Sequence, residues 1–428
     1  MSDFAGLPAS SATDAGFDPD RLARINKTMD AAVEDRSVPG TVTVIGRGSD
    51  IVHTHVNGKL DVDRDASLGM DSLFRMYSQT KPVTAVVLMS LFEEGAFFLN
   101  DPVSKWLPEF AEPKVNRPLA SHERVRGGLG TGSVESARRE ITLFDLMTMT
   151  SGLPSFMRTP AAFWPTLGPA WEGTGFSPTD TTRFNDPEGS YEDHVVALAQ
   201  TPLHAHPGEV WNYGSDFDVL SLFLMRLTGQ NLDSLFRERV FGPLRMTGAS
   251  FYCPEGAEGR LVTDHAWNEG LEIEPRDRPE TSEKTGKANR ELMSGNGLFG
   301  GILCTPPDYT RFARMLLNGG ELDGTRVLGR KTVELMTSNH IGDRDIDLTG
   351  EPNLGFGFGY SVRKGLGGTY TPGTPGTFGW GGAAGTFFFV DPAEDLFGLF
   401  FTHVFGYQFN PDADLAARFE KLTYEALI

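Results

Sequence analysis

Hydrophobic residues first recur at helical spacing, with Leu22, Ile25, Met29 and Val33 three or four positions apart, so they line one face of a 3.6-residue helix. Asp18-Pro19 in front offers an N-cap and a first-turn proline, and Pro39-Gly40 behind marks a turn. The period then changes. Residues 41–45 (TVTVI) and 51–56 (IVHTHV) are rich in β-branched types on either side of the polar turn GRGSD, which predicts an antiparallel hairpin. From residue 78 to about residue 94 the apolar positions (Val83, Ala85, Val86, Val87, Leu88, Met89, Leu91, Phe92) go nearly all the way round a helix. A helix without a polar face is one buried between layers, and Gly95 is placed to close it just past its end.

The middle of the chain has another character. Helical pieces at 141–149, 194–201 and 219–227 alternate with loops rich in Pro, Gly and Trp, such as PSFMRTPAAFWPTLGPAWEGTGF. After residue 297 sheet signals return, with helical patterning over 307–318 and 329–336 and a strand-like alternation of glycine and bulky residues over 356–363. Residues 386–390 and 396–403 flank the turn DPAED as a second hairpin, and Leu415, Phe419, Leu422 and Leu427 mark a last amphipathic helix. The expected class is α+β. Residues 1–105 and 296–428 form an α/β lobe whose N- and C-terminal segments share one antiparallel sheet flanked by helices, and residues 106–295 form an inserted, mostly helical lobe. A length of 428 residues suits two such lobes.

A net charge of −19 argues against binding nucleic acid or an anionic membrane, both of which demand basic patches. No run approaches the ~20 apolar residues of a membrane span, and the N-terminus lacks a basic segment followed by an apolar core, so the expected location is cytoplasmic and the expected partner a small uncharged molecule. Cys253 and Cys304 stand far apart without metal-type spacing and read as free thiols. His53/His55 and His204/His206 have no identifiable co-ligands, so neither a metal nor a cofactor is expected. The sequence is silent on oligomeric state.

Candidate chemistry begins at Ser78-Gln-Thr-Lys81. An S-x-x-K match arises by chance in a chain of this size, and a second one, Ser361-Val-Arg-Lys364, lies in a stretch that reads as a solvent-facing strand. Context separates the two: Ser78 opens the apolar helix, so Lys81 projects from the same face one turn on, and Pro82 is tolerable in a first turn whose N–H groups have no intrahelical acceptor. A solvated lysine keeps its proton to a pH of about 10, whereas burial and a helix N-terminus both disfavour the ammonium. An amine so placed can activate the hydroxyl. The bland alternative is an N-cap serine followed by a surface lysine. HPGEVWNYGSDFDVLSLFL offers Tyr213 in a loop that opens a helix, as a proton shuttle or as an aromatic packed beside Trp211. In GTFGWGGAAGTFFFVDP, Gly379, Gly381 and Gly382 would let a substrate approach the backbone, where the N–H groups of Ala383 and Ser78 could hold an oxyanion. The alternative there is a bulged strand edge.

Taken together, YSQTKPVTAVVLMSLFEEGAFFLNDPVSKWLPEF, ITLFDLMTMTSGLP, HPGEVWNYGSDFDVLSLFL, GGILCTPPDYTRFARMLLNGG and the W-G-G strand resemble, in order and over most of the chain, the serine β-lactamase-like family. That family includes class C β-lactamases, D,D-peptidases and the family VIII carboxylesterases. The resemblance implies a β-lactamase/transpeptidase-like fold with the active site in a cleft between two lobes. It implies Ser78 as nucleophile, Lys81 and Tyr213 as acid/base pair, and the strand at Trp380-Gly381-Gly382 as a third wall. Two departures bear on substrate. Trp380 stands where penicillin-recognising branches usually carry the Lys or His of K-T-G or H-T-G, and Ser215 replaces the Asn of Y-x-N. A W-x-G motif resembles the carboxylesterase branch, and both changes favour short, uncharged acyl esters over penicillins. The expected activity is that of a serine carboxylester hydrolase working through an acyl-enzyme. The alternatives are a β-lactamase or D,D-peptidase, and a catalytically silent ligand-binding homologue.

Other patterns read as incidental. A literal Lys284-Thr-Gly286 sits in a polar stretch without strand signal, and Gly127–Gly132 lacks the strand and the G-K-[ST] ending of a phosphate loop. No G-x-S-x-G elbow of an α/β-hydrolase is present. Phe156, Phe163, Trp164, Trp171 and Phe176 would line an acyl pocket or pack a core.

Overall fold

Asp18 accepts hydrogen bonds from the N–H groups of Asp20 and Arg21 at 2.9 and 3.1 Å and so caps helix α1, Pro19–Glu34, with Pro19 in its first turn. In this computed structural model, which describes residues 6–116, 134–154, 191–268, 270–282, 301–346, 350–407 and 414–428, the chain divides into two units. One comprises Met1–Glu93 and Asp233–Ile428, the other Glu94–Leu232.

The first unit is built on an antiparallel sheet. Its strands are β1 (Gly40–Arg47) and β2 (Asp50–Gly58) from the N-terminal segment, and β7 (Leu354–Phe356), β8 (Ser361–Arg363), β9 (Phe378–Gly381), β10 (Phe387–Asp391) and β11 (Leu396–Phe401) from the C-terminal one. Short pairs intervene in the chain: β3 (Phe74–Arg75) with β6 (Leu303–Cys304), and β4 (Asp264–Trp267) with β5 (Ile273–Asp277). The seven-stranded order is β7-β8-β9-β10-β11-β1-β2, every neighbouring pair antiparallel. The two ends of the chain meet where β1 pairs with β11, Val42 opposite Phe401.

Successive side chains of a strand point to opposite faces, and β10 uses both. Phe389 joins Phe17, Ile25, Met29, Phe400 and Phe419 in a core under α1 and the C-terminal helix α5 (Leu415–Glu425). Phe388 meets Tyr309 and Phe312 of helix α3 (Pro306–Leu317), its ring edge-on to that of Tyr309 at 5.1 Å. Helix α2 (Thr80–Glu93) is buried from Thr80 to Leu91, as its all-round apolar pattern requires, and Gly95 follows at φ +78°. Glu93 at its end accepts the N–H of Gly329 at 2.7 Å, just ahead of helix α4 (Arg330–Met336).

Two readings differ in detail. Residues 356–363 are not one strand but the hairpin β7–β8, turned through Gly359 at φ +84°. Residues 233–282, expected in the inserted lobe, lie in the first unit, because Leu261 bridges to Leu73, His265 bridges to Val404, and the guanidinium of Arg75 reaches the Val262 carbonyl and the Asp277 carboxylate. The unit boundaries thus fall after residues 93 and 232 rather than after 105 and 295.

The second unit contains helices Leu143–Met147, Tyr191–Leu198 and Asp216–Thr228. Thr142 and Asp145 form a reciprocal capping box on the first. Phe223 of the third stands edge-on to Phe97 and Trp106, and Arg226 holds Glu109 and Glu192 at 2.8 and 2.6 Å.

Candidate active site

The apolar helix α2 does not begin at Ser78. A 3-10 turn, Tyr77–Gln79, precedes it, and Ser78 sits inside that turn. Lys81, the second residue of α2, is 4% exposed, and its Nζ donates to Ser78 Oγ at 3.2 Å. A surface lysine is thereby ruled out, since an amine with the hydroxyl in reach is enclosed by the helix that the apolar run builds.

The turn is fixed from several sides. Met76 N–H donates to the Ile302 carbonyl at 2.9 Å, Ile302 N–H to Thr80 Oγ1 at 3.0 Å, and the buried Tyr309 hydroxyl to the Gln79 carbonyl at 2.9 Å. Gly301, at φ +59°, makes room for this, because a Cβ there would stand 2.1 Å from Thr80 Oγ1 and 2.7 Å from the Tyr77 carbonyl. Tyr77 itself has φ +44°, a left-handed value that costs a bulky residue on the order of 1–3 kcal/mol and persists only where the surroundings impose it.

Strand β9 packs against the same turn. A Cβ on Gly382 would lie 2.4 Å from the Met76 carbonyl oxygen, and one on Gly379 would lie 2.1 Å from that of Phe388. These two glycines therefore admit neighbouring backbone, where the sequence suggested room for a substrate. Gly382 and Gly385 close the end of the β9–β10 hairpin, with Gly382 N–H on Thr386 O at 2.7 Å and Gly385 N–H on Gly382 O at 2.9 Å. Between them, Ala383 N–H donates to no backbone carbonyl among the described residues, while its carbonyl accepts from Gly406 at 2.8 Å. Trp380 is 5% exposed, edge-on to Phe356 at 5.3 Å.

Tyr213 and Ser215 belong to the second unit. The Tyr213 ring is buried, 6.3 Å from that of Trp211. Its loop is held by Asn212, whose Nδ2 donates to Leu153 O at 2.7 Å and whose N–H donates to Met149 O at 2.9 Å. Ser215, fully buried, precedes helix Asp216–Thr228, its hydroxyl 3.5 Å from the Pro154 carbonyl. Asp216 was not singled out by sequence. Burial pushes its carboxyl up to about 8, against the opposing effect of the Ser151 hydroxyl bonded to it.

The second S-x-x-K differs in kind. In extended backbone Ser361 and Lys364 face apart: Ser361 donates to Gly379 O at 2.9 Å, and Lys364 pairs with Asp345 at 2.7 Å. Nor is that strand wholly solvent-facing, since Arg363 is buried between Glu351 and Glu420. Burial lowers His53 to about 4, while His55 pairs with Asp30 at 2.7 Å and His206 with Glu135 at 3.3 Å. Cys253 and Cys304 are free and buried. Lys284-Thr-Gly286, Gly127–Gly132 and the aromatics Phe156, Phe163, Trp164, Trp171 and Phe176 lie outside the described residues.

Among known proteins, the family described as Beta-lactamase matches residues 25–423. Protein Rv1367c of Mycobacterium tuberculosis is 32% identical over 390 residues, covering 88% of each chain. Esterase EstB of Burkholderia gladioli is 27% identical over 395 residues, 89% of this chain and 90% of the esterase. The solved structure of EstCE1, described as a hydrolase with promiscuous acyltransferase activity, matches with a TM-score of 0.76 at 23% identity, over 95% of this chain and 99% of its own, and shares the fold.

Proposed function

This chain belongs to the Beta-lactamase family, and from that premise we propose that it is a serine carboxylester hydrolase acting on short, uncharged acyl esters. One observation carries the reading: the Lys81 amine, enclosed at the start of α2, donates to Ser78 Oγ at 3.2 Å. EstB, an esterase matched over most of both chains, supports the ester class. So does Trp380, which puts a buried aromatic where a carboxylate-binding cation would stand in penicillin-recognising relatives.

In the proposed reaction Ser78 Oγ attacks the ester carbonyl as its proton passes to Lys81 Nζ. The carbonyl oxygen gathers negative charge against the N–H groups of Ser78 and Ala383. The C–O bond to the alcohol breaks, and the departing alkoxide takes a proton through Tyr213, leaving an acyl group on Ser78. Water then attacks that acyl-enzyme, its proton returning along the same groups, and releases the acid. Brief exposure to p-nitrophenyl acetate followed by intact-protein mass measurement tests this: the wild type gains one acetyl group and Ser78→Ala gains none. Undiminished ester turnover by Ser78→Ala overturns it. The same nucleophile would serve a β-lactamase or D,D-peptidase, and turnover of nitrocefin faster than of simple esters would reverse the ranking.

A further inference from the structure

The residue before the nucleophile is a tyrosine in a backbone conformation that glycine adopts freely and tyrosine does not, with φ at +44°. Its side chain is tied down by groups distant in sequence. The Tyr77 hydroxyl donates to Asp264 Oδ2 at 2.7 Å, and Arg276 Nη1 donates both to Tyr77 Oη at 3.2 Å and to Asp264 Oδ2 at 2.5 Å. Asp264 is 1% exposed. The Arg276 guanidinium lies 4.0 Å above the Phe405 ring, whose centroid is 5.4 Å from that of Tyr77. Asp264 and Arg276 come from the paired strands β4 and β5, and the backbone anchors β4 to the segment after β11 through His265 N–H on His403 O and Phe405 N–H on His265 O. The cluster therefore connects the sheet to the peptide immediately ahead of Ser78.

Nothing in the acyl-transfer chemistry consumes these groups. Tyr77 is held buried with its hydroxyl bonded, and burial raises its pKa far above the ordinary phenol value, so it exchanges no proton at neutral pH. What the cluster does hold is the side chain of Tyr77, whose backbone leads directly into Ser78. We propose that Tyr77, clamped by Asp264 and Arg276, is a positioning residue that holds the nucleophile turn in its left-handed conformation and so aims Ser78 at the acyl carbon. This rests on the ester-hydrolase reading of Ser78. Glycine at 77 would allow the conformation without enforcing it, alanine would resist it, and phenylalanine would keep the ring while losing the clamp.

The test compares Tyr77→Phe, Tyr77→Gly, Tyr77→Ala and Asp264→Asn with the full-length wild type. The readouts are the burst rate of p-nitrophenol release from p-nitrophenyl acetate, steady-state KM and thermal midpoint. Tyr77→Ala is expected to slow acylation at least about tenfold, displacement of a reacting group by about an ångström costing up to about a hundredfold, with KM within about twofold. Tyr77→Gly is expected to exceed Tyr77→Ala in acylation rate despite having the smaller side chain, and Tyr77→Phe and Asp264→Asn to fall between wild type and Tyr77→Ala. If rates track thermal midpoints alone, or if Tyr77→Ala acylates as fast as wild type or as Tyr77→Gly, the clamp is structural only and the proposal fails. A wild type that is never acylated on Ser78 overturns the ester-hydrolase reading and this proposal together, whereas an acylated wild type with unaffected variants overturns this proposal alone.

Discussion

Ser151 donates its hydroxyl to the carboxyl of Asp216, 65 positions further along the chain, both side chains wholly enclosed in the unit that carries Tyr213. Burial, with a smaller push from Asp145, raises Asp216 to about 8 from an ordinary 3.8. Between those two values the folded chain holds a proton that the unfolded chain has released, so stability falls as pH rises through that window. At neutral pH this amounts to a cost on the order of a few kcal/mol, at about 1.36 kcal/mol per unit. Asp216→Asn keeps the shape of the neutral acid and an acceptor for Ser151. Urea unfolding at pH 5 and pH 8 should show the wild type losing stability relative to Asp216→Asn across that range, the histidine contributions being common to both proteins. Parallel losses in the two proteins would mean that the carboxyl is ionised in the fold.

Removing the amine at 81 tests the proton path. Lys81→Met preserves most of the buried stem among the apolar residues of α2 and removes only the amine proposed as base. Ester kcat/KM should fall by about 10²–10⁴, the usual contribution of a positioned acid or base, while the thermal midpoint is kept or raised because no amine remains to be desolvated. Tyr213→Phe retains the ring beside Trp211 and should fall within the same range of about 10²–10⁴. A Lys81→Met enzyme within about threefold of wild type would remove lysine from the mechanism, since a general base contributes far more than that.

How much of this was legible in the sequence depends on how local each signal is. Ser78 and Lys81 could be paired only from spacing and context together: residues three apart meet across a helical turn and the apolar run that follows implied burial, although Ser78 itself lies in the 3-10 turn before α2. Sheet pairing of the chain ends followed from two hairpin patterns. The clamp on Tyr77 was not legible: Asp264 lies 187 positions away, and a left-handed φ leaves no mark on a tyrosine codeword. Glycine in the W-G-G strand reads in sequence as room for a substrate, but composition cannot say what comes close. The approaching groups at Gly379 and Gly382 are the carbonyls of Phe388 and Met76. The lobe boundary was missed because the β4–β5 pair is short and polar (DHAW, IEPRD), so its membership is set by the bridges from Leu261 to Leu73 and from His265 to Val404, both distant in sequence.

Gly382 gives a steric prediction. A methyl there would stand 2.4 Å from both the Met76 carbonyl oxygen and Thr386 Oγ1, and the backbone oxygen cannot swing aside as a side-chain terminus can. Gly382→Ala should push β9 away from the nucleophile turn, lowering ester kcat at least about tenfold and stability by about 1–3 kcal/mol, as overpacking does. Gly381→Ala meets the Thr386 carbonyl at 3.2 Å and Phe387 Cδ2 at 4.0 Å and should retain most activity. Measured side by side by burst kinetics and thermal unfolding, equal activities would show that strand and turn move independently.

The last expectation concerns acid. His265 and His403 are buried with ring centroids 5.1 Å apart. Burial lowers both, and in His403 the adjacent His265 lowers it further. Each is therefore neutral in the fold at pH values where the unfolded imidazole, titrating near about 6.5, already carries a proton. Below that value the unfolded state binds more protons than the native one, so stability must decline as pH falls from about 6.5 toward the lowered native values. A second imidazolium could form only against the first, which makes protonation of the pair anticooperative. Replacing His403 with Phe, beside Phe74 and Phe401, removes one of these groups from an aromatic setting. As pH falls from 7 to 5 the unfolding midpoint of His403→Phe should rise relative to that of the wild type, since the opposing contribution of Asp216 is common to both proteins and cancels in the difference. A midpoint difference between the two proteins that stays constant over that interval would place the charge of His403 outside the folding equilibrium.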